Sequence, residues 1–439
     1  MTSFLSSIDQ LGGRIESDLR QADGSLRRLP AIAESALANF SDLDGLSVQS
    51  LAEFLANTKV GQQAKNPFSD LPVTVFMSRD FYIEVLVWAH ATTSIHQHGF
   101  GGAFRVICGS SIHTRYRFES DYAVTDDLLV GRVSPVHSES LSVGSVRRID
   151  PGMAGLVHSL YHLDNPSISL IVRDRGHLAF GPQYNYYPPF FAIHRSALEK
   201  DELVLTFGRL LGLTSRIDRE GFMSIWCDHI ARFEFPRLAW LYIQYAKYLE
   251  KDERAVFHSA AEKVHGKLVI NLAESVDHSA NQMLLSKMRS RLHDAELRFF
   301  LALLLNVPSK TDFLRMIEER FPDRDPVNCC VNWLVQLSIH DKAAQHRMLE
   351  VAQMFESAGQ GAMQFSRYLR NALPRGVGVE EARSIFRGFI CRRNVHLREP
   401  IPRESVDELE DVYASLAALP QLSALASDIG EAGKEQGHL

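Results

Sequence analysis

The sequence predicts an α+β protein: an antiparallel β-barrel over residues 66–195, a short helical segment before it over 1–65, and a mostly α-helical domain after it over 196–427. Three observations carry this reading. Between residues 73 and 173 the chain is written in short runs rich in valine, isoleucine and aromatics, punctuated by glycine, proline, serine and aspartate, as half-buried strands and their turns require. On either side, apolar residues recur at intervals of three and four, the period of a helix face. The chain has 439 residues, 45% hydrophobic and 23% charged, long and apolar enough for more than one packed core.

The elements follow in order. Ile15, Leu19, Leu26, Leu29, Ile32, Leu37, Phe40, Leu51, Phe54 and Leu55 give the first 65 residues their helical spacing. Strands are expected over 73–77, 82–88, 104–107, 114–118, 145–149, 156–163 and 168–173. Turns are expected at 99–102, 109–111, 150–152 and 164–167. The stretch 181–191, GPQYNYYPPFF, reads as a loop closing this region, because Pro188 and Pro189 donate no backbone hydrogen bond. The domain boundary is placed near Arg195. Beyond it, Leu203, Phe207, Leu210 and Leu211, then Ile225, Ile230 and Phe233, then Leu238, Leu241, Ile243 and Tyr245 return to helical spacing. The apolar run 297–305 is expected at the centre of that helical domain. The polar tail, 428–439, is expected to be disordered.

Composition excludes several classes. A net charge of −6 without a basic arm gives no field for nucleic acid. The five cysteines, Cys108, Cys227, Cys329, Cys330 and Cys391, form no C-x-x-C pair and read as reduced core residues. No leader-like start and no long apolar run points to a membrane, so a cytoplasmic protein is expected. There is no phosphate-binding glycine loop and no G-x-S-x-G elbow. His229, His293 and His346 show no metal-binding spacing of their own.

Nine of the 18 histidines fall between residues 90 and 194: His90, His96, His98, His113, His137, His158, His162, His177 and His194. In Ile95-His96-Gln97-His98 the alternation of a strand puts both imidazoles on one face, close enough to share an ion. A third ligand must come from another strand, and His158 and His162 in GLVHSLYH are the candidates. Three ligands with open positions suit non-heme iron, and imidazole also suits nickel, copper or zinc. The plainer reading is that His96 and His98 only decorate a barrel wall. Arg173, if it faces inward, could clamp a substrate carboxylate, or pair with Asp174 or Glu84. Glu84 is a carboxylate in an apolar strand, which must be paired or act as ligand or base. Tyr116 and Tyr161, with Tyr184, Tyr186 and Tyr187, could line a pocket mouth or pack between domains. His113, four residues after Gly109, is a core, rim or ligand-supporting histidine.

The run Thr93-Ser-Ile-His96-Gln-His98 followed by Gly109 resembles the first motif of the cupins, and residues 150–165, with Gly155-x-x-His158 and a turn at Asn165, resemble the second. SIHQH and HLDNPS-ISL are similar, more narrowly, to the cysteine dioxygenase and thiol dioxygenase group, over about residues 70–180. The resemblance implies a double-stranded β-helix barrel with Fe(II) on His96, His98 and a third histidine, zinc, nickel, manganese or copper being the other ions such a shell accepts. His158 is favoured over His162 because Gly155-x-x-His158 fits the motif and His162 abuts the turn. Gly102 and Ala103 stand where many cupins place a glutamate, which implies a histidine-only shell. Ala103 also stands where cysteine dioxygenase has its crosslinking cysteine. Ser169 matches that enzyme's serine, but Ile171 and Arg173 stand where it has histidine and tyrosine, so two of the three are lost, which argues against free cysteine as substrate. The implied function is a mononuclear iron oxygenase using dioxygen on a small metabolite or biosynthetic intermediate. A non-catalytic cupin that senses a metabolite or binds a protein partner, and a metal-dependent isomerase or hydrolase, use the same barrel. A homodimer is left open.

Overall fold

A computed structural model describes residues 3–40, 46, 48–57, 63–64, 68–89, 93–152, 155–175, 183–194, 201–307 and 310–326, with Cys329 and Trp333. It opens on helix α1 (Ser3–Gln21), whose Phe4, Ile8, Leu11, Ile15 and Leu19 are buried along one stripe. Helix α2 (Leu29–Ala38) carries Pro30 in its first turn, where the missing N–H would have no partner. Helix α3 is Val48–Asn57.

Eleven strands follow: β1 (Leu71–Met77), β2 (Phe81–Trp88), β3 (Ile95–His96), β4 (Gly102–Cys108), β5 (Ser111–Thr125), β6 (Leu128–Leu141), β7 (Val146–Ile149), β8 (Val157–His162), β9 (Ser167–Asp174), β10 (Tyr184–Tyr187) and β11 (Phe191–His194). They form a five-stranded sheet in the order β1-β2-β9-β4-β7 and a second, closed set in the order β10-β11-β6-β5-β8-β3. Alternation gives the first sheet two faces. Val73, Val75, Phe81, Ile83, Val85, Ala103, Leu170 and Val172 pack beneath α1 and α2, so the amphipathic stripes of these helices bury one face of the sheet. Leu86, Trp88, Phe104, Val106 and Ile171 turn the other way and meet Leu160 of β8. The two sheets therefore face each other across a shared core, the double-stranded antiparallel arrangement of a cupin.

Two stretches differ from the sequence expectation. The strands β5 and β6 are far longer than residues 114–118 suggest, and β6 was not foreseen at all. Its Gly131, Pro135 and scattered serines hide the alternation, while Leu128, Leu129, Val130 and Val133 are buried. Residues 181–191, expected as a loop, contribute β10 and lead into β11. Pro188 and Pro189 sit in the turn between them, and Tyr184 and Tyr186 join Ile95, Leu129, Val133, Val157 and Ala192 in one apolar cluster.

The helices begin at α4 (Glu202–Ile217), capped by Asp201, whose carboxylate accepts from Leu203 and Val204 N–H. They continue as α5 (Arg219–Ser224), α6 (Phe235–Tyr245), α7 (Lys251–His265) and α8 (Lys267–Arg291). Val204, Leu211, Phe222, Trp226, Leu238 and Phe257 pack in one cluster with Leu128, Val130, Phe191 and Ile193 of the strands.

The chain divides into two compact units, residues 1–136 with 141–280, and 137–140 with 281–439. In the second, α9 (Ala295–Asn306) and α10 (Lys310–Arg320) surround Phe299, Phe300, Leu303, Phe313 and Ile317. The run 297–305 is buried as its composition requires. Glu296 there accepts from Arg324 and from Trp333 Nε1, at 2.9 Å each. His346, Cys330, Cys391 and the tail 428–439 lie outside the described residues. No described helix is long and apolar enough to cross a membrane.

Candidate metal centre

His96 and His98 project from one side of the chain around β3, and β8 pairs with that strand so that His158 stands directly opposite His96. The consequence is a cluster: one ring nitrogen from each of His96, His98 and His158 lies within 4.8 Å of the others. All three are at most 4% exposed. The Nε2 atoms of His98 and His158 are 2.8 Å apart. Two imidazole lone pairs hold that separation only with a proton or a cation between them. Two nitrogens bound about 2.0–2.1 Å from one ion at near right angles would lie about 3 Å apart, so the spacing fits a shared metal. Burial, followed by the charges of neighbouring histidines, holds His98 and His158 well below the ordinary imidazole value. They stay neutral, the state that can ligate.

Hydrogen bonds aim the rings. His96 Nδ1 lies 2.7 Å from Ser94 O, and His158 Nδ1 lies 2.9 Å from Nε2 of His113. Between the two ligands of the H-x-H pair, Gln97 faces away and accepts from the Tyr186 hydroxyl, while Thr93 N–H donates to Leu160 O and fixes the approach to β3. After His98, the turn is held by Asp174, whose Oδ2 accepts from Gly101 N–H at 2.6 Å. Apart from Ser94 O, the histidine spacing alone could not reveal these supports, because they come from strands distant in sequence.

His162 is placed elsewhere. It is 7% exposed, lies 2.9 Å through Nδ1 from Ser111 Oγ, and stacks on Trp88 at 4.7 Å between centroids. Arg173 does point to the side of its sheet that bears Ile171. It pairs with the fully buried Glu84 at 3.5 Å and lies over the ring of Phe100, 4.0 Å from its centroid. Phe100 in turn packs on His98 at 4.7 Å. Glu84 and Arg173 are thus joined to each other, one aromatic ring away from the histidines. Tyr116 pairs with Val157 while its neighbour Arg115 pairs with His158, so Tyr116 lies on the opposite face of its sheet, packed with the Tyr184 and Tyr186 cluster. Ala103 likewise turns away from the histidines, into the core beneath α1 and α2. At Gly102 an added Cβ would lie 1.9 Å from Val172 O. No glutamate can stand there, and among the described residues the clustered donors are three imidazoles.

No family model matches the chain, and no curated protein matches it. Among solved structures, the hydroquinone 1,2-dioxygenase from Sphingomonas sp., determined with 4-hydroxybenzoate bound, is 14% identical and aligns with 29% of this chain and 72% of its own, with a TM-score of 0.20. The DMSP lyase DddQ from Ruegeria pomeroyi is 15% identical over 42% of this chain and 98% of its own, with a TM-score of 0.22. The cupin fold of this chain rests on its strand pairing rather than on these partial likenesses, and the barrel carries three clustered histidines that fit a metal.

Proposed function

We propose that the chain is a mononuclear non-heme iron cupin oxygenase acting on a small metabolite or biosynthetic intermediate, with His96, His98 and His158 as the metal ligands. The observation that supports this most is the buried cluster of three imidazoles whose ring nitrogens lie within 4.8 Å of one another. An Fe(II) ion on such a shell would supply one-electron and dioxygen chemistry that no side chain can perform. The protein's own part is to orient and to exclude water. Phe68 and Phe100 wall the histidines, with Phe68 5.5 Å from His96 and Phe100 4.7 Å from His98 between centroids, and Trp88 packs behind Phe68 at 5.3 Å.

The thiol dioxygenase likeness is narrower, and the inward row argues against free cysteine. That substrate needs its carboxylate held by a cation, and Arg173 is already bound to Glu84. Ile171 offers no polar group. The same pair favours a second reading, a metal-dependent isomerase, hydrolase or non-catalytic sensor, because it engages the guanidinium that lies one aromatic ring from His98.

The test is elemental analysis of protein purified without added metal, followed by oxygen consumption with candidate thiols and acids. Iron near one equivalent and oxygen uptake with some substrate other than cysteine are expected. His96→Ala, His98→Ala and His158→Ala should each lose the metal with far-UV circular dichroism nearly unchanged, whereas His162→Ala should retain it. Zinc as the resident ion with no oxygen uptake would overturn the oxygenase reading, and metal retained in all three ligand variants would place the ion elsewhere.

A further inference from the structure

His113 is a buried histidine directly behind His158. It stands on β5, is 0% exposed, and its strand pairs with β8 so that Leu160 lies opposite it and His158 opposite Arg115. Its Nε2 is 2.9 Å from Nδ1 of His158, the two rings stand nearly perpendicular at 85°, and Phe104 presents against its side at 6.4 Å. We propose that His113 is a positioning residue for the metal centre, accepting the Nδ1 proton of His158 so that the Nε2 lone pair of His158 faces His96 and His98. This rests on the reading of the three histidines as a metal site.

The argument is a count of protons. A neutral imidazole carries one N–H and one lone pair. Nε2 of His158 is the atom facing Nε2 of His98, so ligation from there requires the proton on Nδ1. A buried N–H needs an acceptor, and His113 Nε2 is the atom at hydrogen-bond distance. His113 must then keep its own proton on Nδ1. For His96 the comparable contact is made to a backbone carbonyl, Ser94 O. His158 is therefore the ligand whose tautomer depends on a replaceable side chain, and partners of this kind alter metal affinity by about 10- to 100-fold.

Zinc affinity would be measured by chelator competition on the full chain, with the visible spectrum of the cobalt-loaded protein as a second readout. His113→Phe fills the space without an acceptor and should weaken zinc binding by about 10- to 100-fold and shift the cobalt bands. His113→Gln places an amide oxygen near the Nε2 position and should restore most of the affinity and the spectrum. Imidazole nitrogen–proton NMR of zinc-loaded wild type is independent of whether either variant folds, and should find the His158 proton on Nδ1, shared with His113. Wild-type affinity in a folded His113→Phe protein would overturn the assignment while leaving the metal site intact, whereas a His158 proton on Nε2 would overturn it together with ligation through that nitrogen. Wild type that binds no metal would overturn both.

Discussion

Gly102 stands at the closest approach of two strands. Its missing side chain lets β4 lie against β9, since a Cβ would meet Val172 O at 1.9 Å and the carbonyl carbon at 2.9 Å. Both obstacles are backbone, which cannot swing aside as a side chain can. Gly102→Ala is expected to cost about 3 kcal/mol, at the upper end of overpacking penalties, read as a lower urea midpoint. An unchanged midpoint would show that the strands are not so close. The sequence shows a glycine where a cupin glutamate is expected, but only the strand spacing shows why no side chain fits. Among the histidines the contrast is similar. The alternation of a strand is enough to pair His96 with His98, whereas the choice between His158 and His162 depends on register: His158 falls opposite His96 and His162 opposite Ser111.

Elements are joined by a few long side chains. Arg105 leaves β4 and donates through Nη1 to Leu37 O at 2.6 Å and to Phe40 O, adding a charged donor at the end of α2, where Leu37 O also accepts from Phe40 N–H. Arg105→Ala should therefore loosen the N-terminal helices from the sheet, with a loss of about 1–2 kcal/mol for hydrogen bonds to a charged donor at a partly buried site. Hydrogen exchange should rise first in α2, and uniform exchange across the barrel would count against this coupling. The helices themselves were legible from periodicity, because a stripe such as Ile8, Leu11, Ile15 and Leu19 is a local pattern. The strands β6, β10 and β11 were not. β6 is exposed over Pro135, Val136 and His137, and β10 and β11 become strands because Tyr184, Tyr186 and Ala192 pack with residues of β3, β6 and β8.

For the whole molecule, two linked equilibria should set stability. Metal that binds the folded chain alone adds about 2.7 kcal/mol at a free concentration one hundred times its dissociation constant. Added zinc should raise the melting temperature of wild type and leave His158→Ala unmoved. Acid acts in the opposite direction: burial lowers His258 and His278 of α7 and α8 from 6.5. The unfolded chain then takes up protons at a pH where the folded one does not, so stability is full above about 6.5 and falls as pH drops below it. A urea midpoint flat from pH 7.5 to 5 would contradict this. By itself the sequence determined the barrel, the helices on either side and the shared face of His96 and His98, because hydrophobic period and strand alternation act over a few residues. Tertiary structure decided among readings that the sequence left open: that His158 joins them, that His113 stands behind it, that Arg173 meets Glu84 and that Tyr116 faces away. Each of these depends on register between strands far apart in the chain, and a shift of one residue would turn every side chain to the other face.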